Sequence, residues 1–170
     1  MNIELKELSI NDGEDIYNLL QEIPKKENGA TNNANGISFD EYKEWLKVQD
    51  NILKGIILED WIVPQHIYWL YINGKPVGMG KLRIRLTDKL KEDGGHCGYM
   101  IAPAFRGHGY GTILLKLLIK EAQKIKLDRI LLTIQNENIA SLKVALNNGG
   151  KTEKVTDEKN YIWIDCNFIK

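Results

Sequence analysis

The sequence predicts an α/β fold, a mixed sheet with helices packed on its faces. Three observations carry this expectation. Ile67-Tyr68-Trp69-Leu70-Tyr71-Ile72 and the run Lys75 to Leu86 flank Asn73-Gly74, a strong hairpin signal. A short apolar run, Cys97 to Ile101, passes through a glycine-rich turn into a long amphipathic segment, Thr112 to Ile125. After it, Arg129-Ile130-Leu131-Leu132-Thr133-Ile134 reads as a buried strand.

The remaining elements follow in order. Ile3 to Leu8 reads as a first strand, and Asp12 is placed to cap a helix that runs to about Ile23 and stops at Pro24. Pro24 to Gly36 is rich in Asn and Gly and reads as loop. Ser38 and Glu41 have capping-box spacing, so a helix should run through Tyr42, Trp45, Leu46 and Gln49. Asn51 to Pro64 fits a short helix plus a loop. Asp88 to Gly95 turns the chain into a strand from His96 to Ile101. Asn138 or Ser141 opens a short helix that ends near Asn148-Gly149-Gly150. Lys151 to Thr156 and Tyr161 to Phe168 form a closing hairpin.

Length and charge narrow the function. A chain of 170 residues fits one domain, residues 1–170, with a proper core. Its formal net charge is zero, so no bulk field draws it to nucleic acid or to a membrane. No apolar run approaches the roughly 20 residues of a membrane span, and Met1-Asn2-Ile3-Glu4 is not the start of a signal peptide. Cys97 and Cys166 make neither a disulfide framework nor a metal site, which favours a reducing, cytoplasmic compartment.

The chemistry concentrates in Arg106-Gly107-His108-Gly109-Tyr110-Gly111. Glycines let backbone approach a ligand without a Cβ in the way. The first amides of the following helix lack intrahelical partners and sit at the positive end of its dipole, a site suited to phosphate. A Walker loop would need a lysine where Thr112 stands, and the glycine spacing misses the dinucleotide fingerprint. Arg106, Gly109 and Gly111 satisfy Arg-x-x-Gly-x-Gly instead.

Here the chain resembles the GNAT superfamily of acetyl-coenzyme A-dependent N-acetyltransferases. Ile101-Ala102-Pro103-Ala104-Phe105-Arg106 looks like the family's strand end, Asn138-Ile139-Ala140-Ser141 is similar to its Asn-x-Ala-Ser, and Gly149-Gly150 to the pair closing the next helix. Gly78 to Leu86 with Gly94 to Tyr99 resembles a bacterial subgroup of mostly predicted acetyltransferases. The resemblance spans residues 66 to 150 and implies a mixed, mostly antiparallel central sheet with helices on both faces. It implies acetyl-coenzyme A as co-substrate, no metal, and a small-molecule or peptide amine as acceptor; a homodimer stays open. The N-terminal 65 residues carry little of it, and in this superfamily that region shapes the acceptor pocket.

By the same resemblance, Arg106, Gly107, His108, Gly109, Tyr110, Gly111 and Thr112 form the pyrophosphate loop, with the amides of Gly107 through Thr112 gripping the phosphates. Backbone groups of Tyr99, Met100 and Ile101 meet the pantetheine arm and thioester, and Asn138 contacts the arm as well as capping its helix. Many members place a proton-donating tyrosine seven residues after that asparagine, where this chain has Ala145. A coenzyme A-binding regulatory module without catalysis is therefore the alternative reading. For the base, His96 is the best titratable residue of its strand, weighed against a histidine satisfied in the Gly94-Gly95 turn. Lys81, Arg83 and Arg85 share one strand face, read first as solvated and second as a seat for an acidic acceptor or coenzyme phosphates. Trp61, Tyr68, Trp69 and Tyr71 read as core, with loop-borne Trp61 also able to wall a pocket.

Overall fold

In a computed structural model, which describes residues 1–168, the chain forms strands β1 (Ile3–Glu7), β2 (Lys26–Glu27), β3 (Ala30–Thr31), β4 (Gln65–Ile72), β5 (Lys75–Arg83), β6 (Cys97–Ile101), β7 (Arg129–Gln135), β8 (Lys151–Val155) and β9 (Lys159–Asp165). The helices are α1 (Glu14–Glu22), α2 (Phe39–Leu53), α3 (Asp88–Glu92), α4 (Tyr110–Lys124) and α5 (Ile139–Asn147). The last two residues of the expected 1–170 domain lie outside the described residues.

The strands build two antiparallel sheets, in the orders β1-β4-β5-β6 and β7-β9-β8, and a small β2-β3 ladder. Asn73 and Gly74 both have positive φ, 49° and 78°, so the expected hairpin is a type I′ turn. The Ser38 capping box forms, with Ser38 Oγ accepting from Glu41 N at 3.2 Å and Glu41 Oε2 accepting from Ser38 N at 2.7 Å.

Helices cover both faces. One face of the four-stranded sheet buries Ile67, Trp69, Tyr71 and Met79 against Ile16, Leu19 and Leu20 of α1 and Tyr42 and Leu46 of α2. The other buries Leu70 and Leu82 against Leu114, Leu115, Leu118, Ile119 and Ala122 of α4. The same side of α4 also covers Ile130, Leu132 and Ile162 of the second sheet. One helix thus spans both sheets. It comes close because Gly80 has no side chain; a Cβ there would lie 2.8 Å from Leu118 Cδ1.

Several local expectations shift. Gly13, not Asp12, is the N-cap of α1; the Asp12 carboxylate accepts instead from Ser9 N at 2.9 Å and Trp69 Nε1 at 2.8 Å. The Asn-rich loop is ordered by its asparagines. Asn32 Nδ2 donates to the Leu20 and Ile23 carbonyls and Asn35 Nδ2 to those of Gln21 and Ile23, satisfying the orphan carbonyls of α1. The β2-β3 hairpin within that loop turns at Asn28-Gly29, both with positive φ. After Leu53 no further helix forms before Pro64. The strand from Lys75 ends at Arg83, and the Asp88–Gly95 turn contains α3, capped by Thr87 Oγ1 accepting from Leu90 N.

Leu118 sits at the centre of the α4 contact, so Leu118→Ala should cost about 2–5 kcal/mol. Gly80→Ala, which overpacks the same contact, should cost about 1–3 kcal/mol. Urea denaturation followed by circular dichroism measures both.

Candidate active site

The glycine loop is built as its sequence suggests. A 3₁₀ turn, Pro103–Phe105, leads into Arg106, and the chain then passes through Gly107 (φ 79°) and Gly109 (φ 78°). Gly109 is the N-cap of α4 and no side chain caps that end. The first intrahelical bond comes from Ile113 N to Gly109 O, so the amides of Tyr110, Gly111 and Thr112 have no intrahelical acceptor. A Cβ on Gly107 or Gly109 would meet nothing within 4 Å. Protein packing therefore does not explain the missing side chains there; the left-handed backbone and open space before the helix do. Gly111 differs, since a Cβ there would come within 3.3 Å of Val144 Cγ2 and press α4 off α5.

Arg106 is engaged within the chain. Its Nη1 and Nη2 bind both carboxylate oxygens of Glu27 at 3.0 and 2.6 Å, and its Nε donates to Ile101 O at 3.0 Å. His108 Nδ1 lies 2.9 Å from Arg106 O and so donates to it, with the ring stacked on Tyr110. The Glu27 hairpin also reaches the second sheet: a Cβ on Gly29 would lie 3.0 Å from Gln135 Nε2 at the end of β7. The N-terminal region thus touches the end of β7 directly and the end of β6 through Arg106.

Between those ends lies an unladdered strand edge. No ladder joins β6 to β7. In the β5–β6 register Met79 faces Met100 and Lys81 faces Gly98, and Ala102 N donates to Val77 O. Alternation then turns the backbone groups of Tyr99 and Ile101 away from β5, toward β7, while those of Met100 face β5. Among the described residues only Arg106 bonds to this outward edge. The Tyr99 hydroxyl crosses to α5, 2.7 Å from Ser141 Oγ. Asn138 Oδ1 caps α5 by accepting from Ser141 N at 3.2 Å, so Tyr99 and Asn138 converge on one residue. Ala145 is fully buried and a Cβ on Gly150 would lie 2.7 Å from its carbonyl oxygen, so this part of α5 belongs to the core.

His96 stands where the sheets meet. Its backbone N donates to Leu131 O at 2.8 Å, and its Nδ1 accepts from Leu131 N at 2.9 Å. Nδ1 is thus unprotonated and occupied. Burial, reinforced by the Arg83 charge, lowers the imidazole to about 4. The cationic stripe is not a uniformly solvated face. Arg85 is exposed, but Lys81 and Arg83 are largely covered, and burial together with Arg83 lowers Lys81 to about 8. Tyr68, Trp69 and Tyr71 are buried, whereas Trp61 is 52% exposed. Sequence reasoning missed Glu27 and its hairpin, although Asn28-Gly29 carried the turn signal.

The pattern of the acetyltransferase (GNAT) family matches residues 16–149. The chain belongs to that family. No curated protein matches it at the level of sequence. Among solved structures, an acetyltransferase of the GNAT family from Streptococcus pneumoniae superimposes with a TM-score of 0.65 at 16% identity, over 95% of this chain and 98% of that one. The Campylobacter jejuni N-acetyltransferase PseH, in complex with acetyl coenzyme A, gives 0.65 at 16% identity over 96% and 99%. RimL, a ribosomal L7/L12 alpha-N-protein acetyltransferase in complex with coenzyme A, gives 0.70 at 13% identity over 97% and 94%. At these identities the likeness is one of fold. Among the described residues of this GNAT chain no cluster of His, Cys, Asp or Glu could hold a metal, and no helix is long and apolar enough to cross a membrane.

The His96 junction has a pH signature. Folding holds the imidazole neutral, with a pKa of about 4. The unfolded chain titrates at about 6.5 and so binds more protons below that pH. The His96 contribution to stability is full above about pH 6.5 and is lost as the pH falls toward about 4. His96→Asn, whose Oδ1 can replace Nδ1 as acceptor, should flatten that acid limb in thermal melts.

Proposed function

We propose that this protein transfers the acetyl group of acetyl-coenzyme A to a primary amine. The observation that carries this is the pairing of two unpartnered features: the uncapped N-terminus of α4, with its two left-handed glycines, and the outward edge of β6 beside it. The first suits a pyrophosphate and the second an amide-bearing arm lying as an extra strand. Family membership supports the acetyl group as cargo, and the ligands of PseH and RimL support coenzyme A as its carrier.

Each residue then has a role. Amides from Gly107 to Thr112 hold the phosphates, with His108, Tyr110 and Arg106 fixing the loop that presents them. Arg106 acts indirectly, by tying that loop to Ile101 O and Glu27. Tyr99 and Ile101 supply the strand groups; Met100, paired with β5, instead lends its side chain to the opposite face. The Asn138 Nδ2 group is left for the pantetheine because the cap uses Oδ1.

The amine nitrogen bonds to the acyl carbon as the C–S bond breaks, and the nitrogen sheds its proton to water. His96 joins the sheets and is not the base: its Nδ1 is engaged and its pKa lies well below working pH. No tyrosine at Ala145 protonates the sulfur, and a thiol of pKa about 8.5 leaves tolerably as thiolate. Cys97 and Cys166 are buried and unpaired, which supports a cytoplasmic setting.

Gly109→Asp places a carboxylate before the helix in space the protein leaves open; the left-handed φ there strains it by about 1–2 kcal/mol, which Asp tolerates better than most residues, so the variant should fold and lose at least tenfold in acetyl-coenzyme A affinity by calorimetry. Unchanged affinity would sink the loop assignment. Asn138→Ala should lose about 1 kcal/mol of cap stability and, beyond that, several-fold in coenzyme A affinity. Free-thiol release with an amine panel separates a transferase from a regulatory module that binds coenzyme A without turnover.

A further inference from the structure

Lys81 and Arg83 are partly covered cations without an ion-pair partner among the described residues. Both lie on β5, on the face that carries Met79 and looks toward α1 and α2. No carboxylate pairs with either among the described residues. The Lys81 ammonium has no hydrogen-bond partner there. Arg83 Nη1 donates to the Gly94 and Gly95 carbonyls at 3.3 and 3.1 Å, but its buried Nε has no partner. A partly desolvated cation without a counter-charge is costly, and two side by side more so. Such a pair persists where an anion completes it.

The surroundings say which molecule brings the anion. Across the ladder Lys81 stands opposite Gly98 of β6, and a Cβ on Gly98 would meet nothing within 4 Å. On the other face of β6, Cys97, Tyr99 and Ile101 are packed under α4 and α5. An acceptor reaching the outward edge of β6 from the open face therefore passes Gly98 and Lys81, over Met100. The next strand is about 4.8 Å away and residues along a strand are about 3.3 Å apart, so an amine at the β6 edge and an anion at Lys81 are separated by roughly 5–8 Å.

We infer that Lys81 and Arg83 form the anion-holding end of the acceptor pocket, and that the acceptor is a small amine carrying one anionic group within a few bonds of its nitrogen. This deepens the acetyl-transfer reading and rests on it. Polyamines, whose second and third ammonium groups would face two unpaired cations, are excluded as good acceptors. Gly98 is the opening that admits the acceptor, and Lys81 is a specificity residue that sets its binding.

The test compares matched amines in the thiol-release assay with acetyl-coenzyme A. Glycylglycine is set against glycylglycinamide, phosphoethanolamine against ethanolamine, and spermidine against both pairs; the two pairs distinguish a carboxylate from a phosphate. The anionic member of at least one pair should be favoured by tenfold or more in kcat/KM, with spermidine the poorest. In Lys81→Met the ratio within that pair should fall toward one, mainly through KM, with acetyl-coenzyme A affinity retained. Removing an unpaired, partly desolvated ammonium should leave the melting temperature no lower than that of the wild type. Neutral amines or spermidine used as well as the anionic ones would overturn the proposal, as would a Lys81→Met variant that loses both members of a pair alike. Calorimetry on the coenzyme A-loaded wild type gives a readout without turnover. Anionic amines that bind there while no amine is acetylated would keep this subsite and sink the transfer reading. Turnover without anionic preference would do the reverse.

Discussion

The placement of the two sheets turns on one junction, His96 against Leu131. Two hydrogen bonds, one from the His96 backbone and one to its ring, tie the four-stranded sheet to the three-stranded one. Net, such bonds contribute about 1 kcal/mol each. Their importance lies in position. They fix the two sheets at the start of β6, and beyond them β6 and β7 share no ladder. An edge that would otherwise be satisfied by a neighbouring strand is left with outward-facing amides and carbonyls. The Gly94-Gly95 turn shapes the junction: Gly95 has φ 59°, and a Cβ there would fall on the Leu131 carbonyl. His96 is held in this junction by its backbone and its ring, which is neutral because burial and Arg83 disfavour the cation.

Both sheets pack against one helix, α4. Its apolar stripe covers Leu82 of one sheet and Ile130, Leu132 and Ile162 of the other. Each buried leucine or isoleucine contributes roughly 1.5–3 kcal/mol, so this helix holds more of the fold than the junction does. Because α4 spans both sheets, its N-terminus opens beside the unladdered edge. The helix-end amides and the strand-edge amides thereby become one surface. Gly80 and Gly111 let α4 seat closely on β5 and α5.

Charge placement, not charge total, distinguishes the two sides of this site. The formal net charge is zero. On the loop side, Arg106 is answered by Glu27, and this ion pair draws the β2-β3 hairpin over the ends of β6 and β7. On the opposite face Lys81 and Arg83 form no ion pair among the described residues, and desolvation lowers the lysine. A cation paired within the fold orders a loop; a cation left unpaired is available to a ligand.

The sequence by itself determined the order and type of the longer elements, the capping box at Ser38, the Asn73-Gly74 hairpin and the glycine loop before α4. Each is a local matter: a cap, a turn or a helix start is set by residues within about four positions. The family likewise followed from motifs on adjacent elements. Short features without apolar flanks were not legible, such as the Asn28-Gly29 hairpin and α3. Tertiary structure alone decided the rest. The ring of His96 could not be told from a base until Leu131, far along the chain, was seen to occupy Nδ1. Arg106 belonged to the phosphate loop by motif, but only folding brought Glu27 to it from 79 positions away. A period-two pattern says that Lys81 and Arg83 share a face; it does not say whether water or protein covers it. That depends on α1, α2 and the Gly94-Gly95 turn, because burial is a property of what packs against a strand and not of the strand itself.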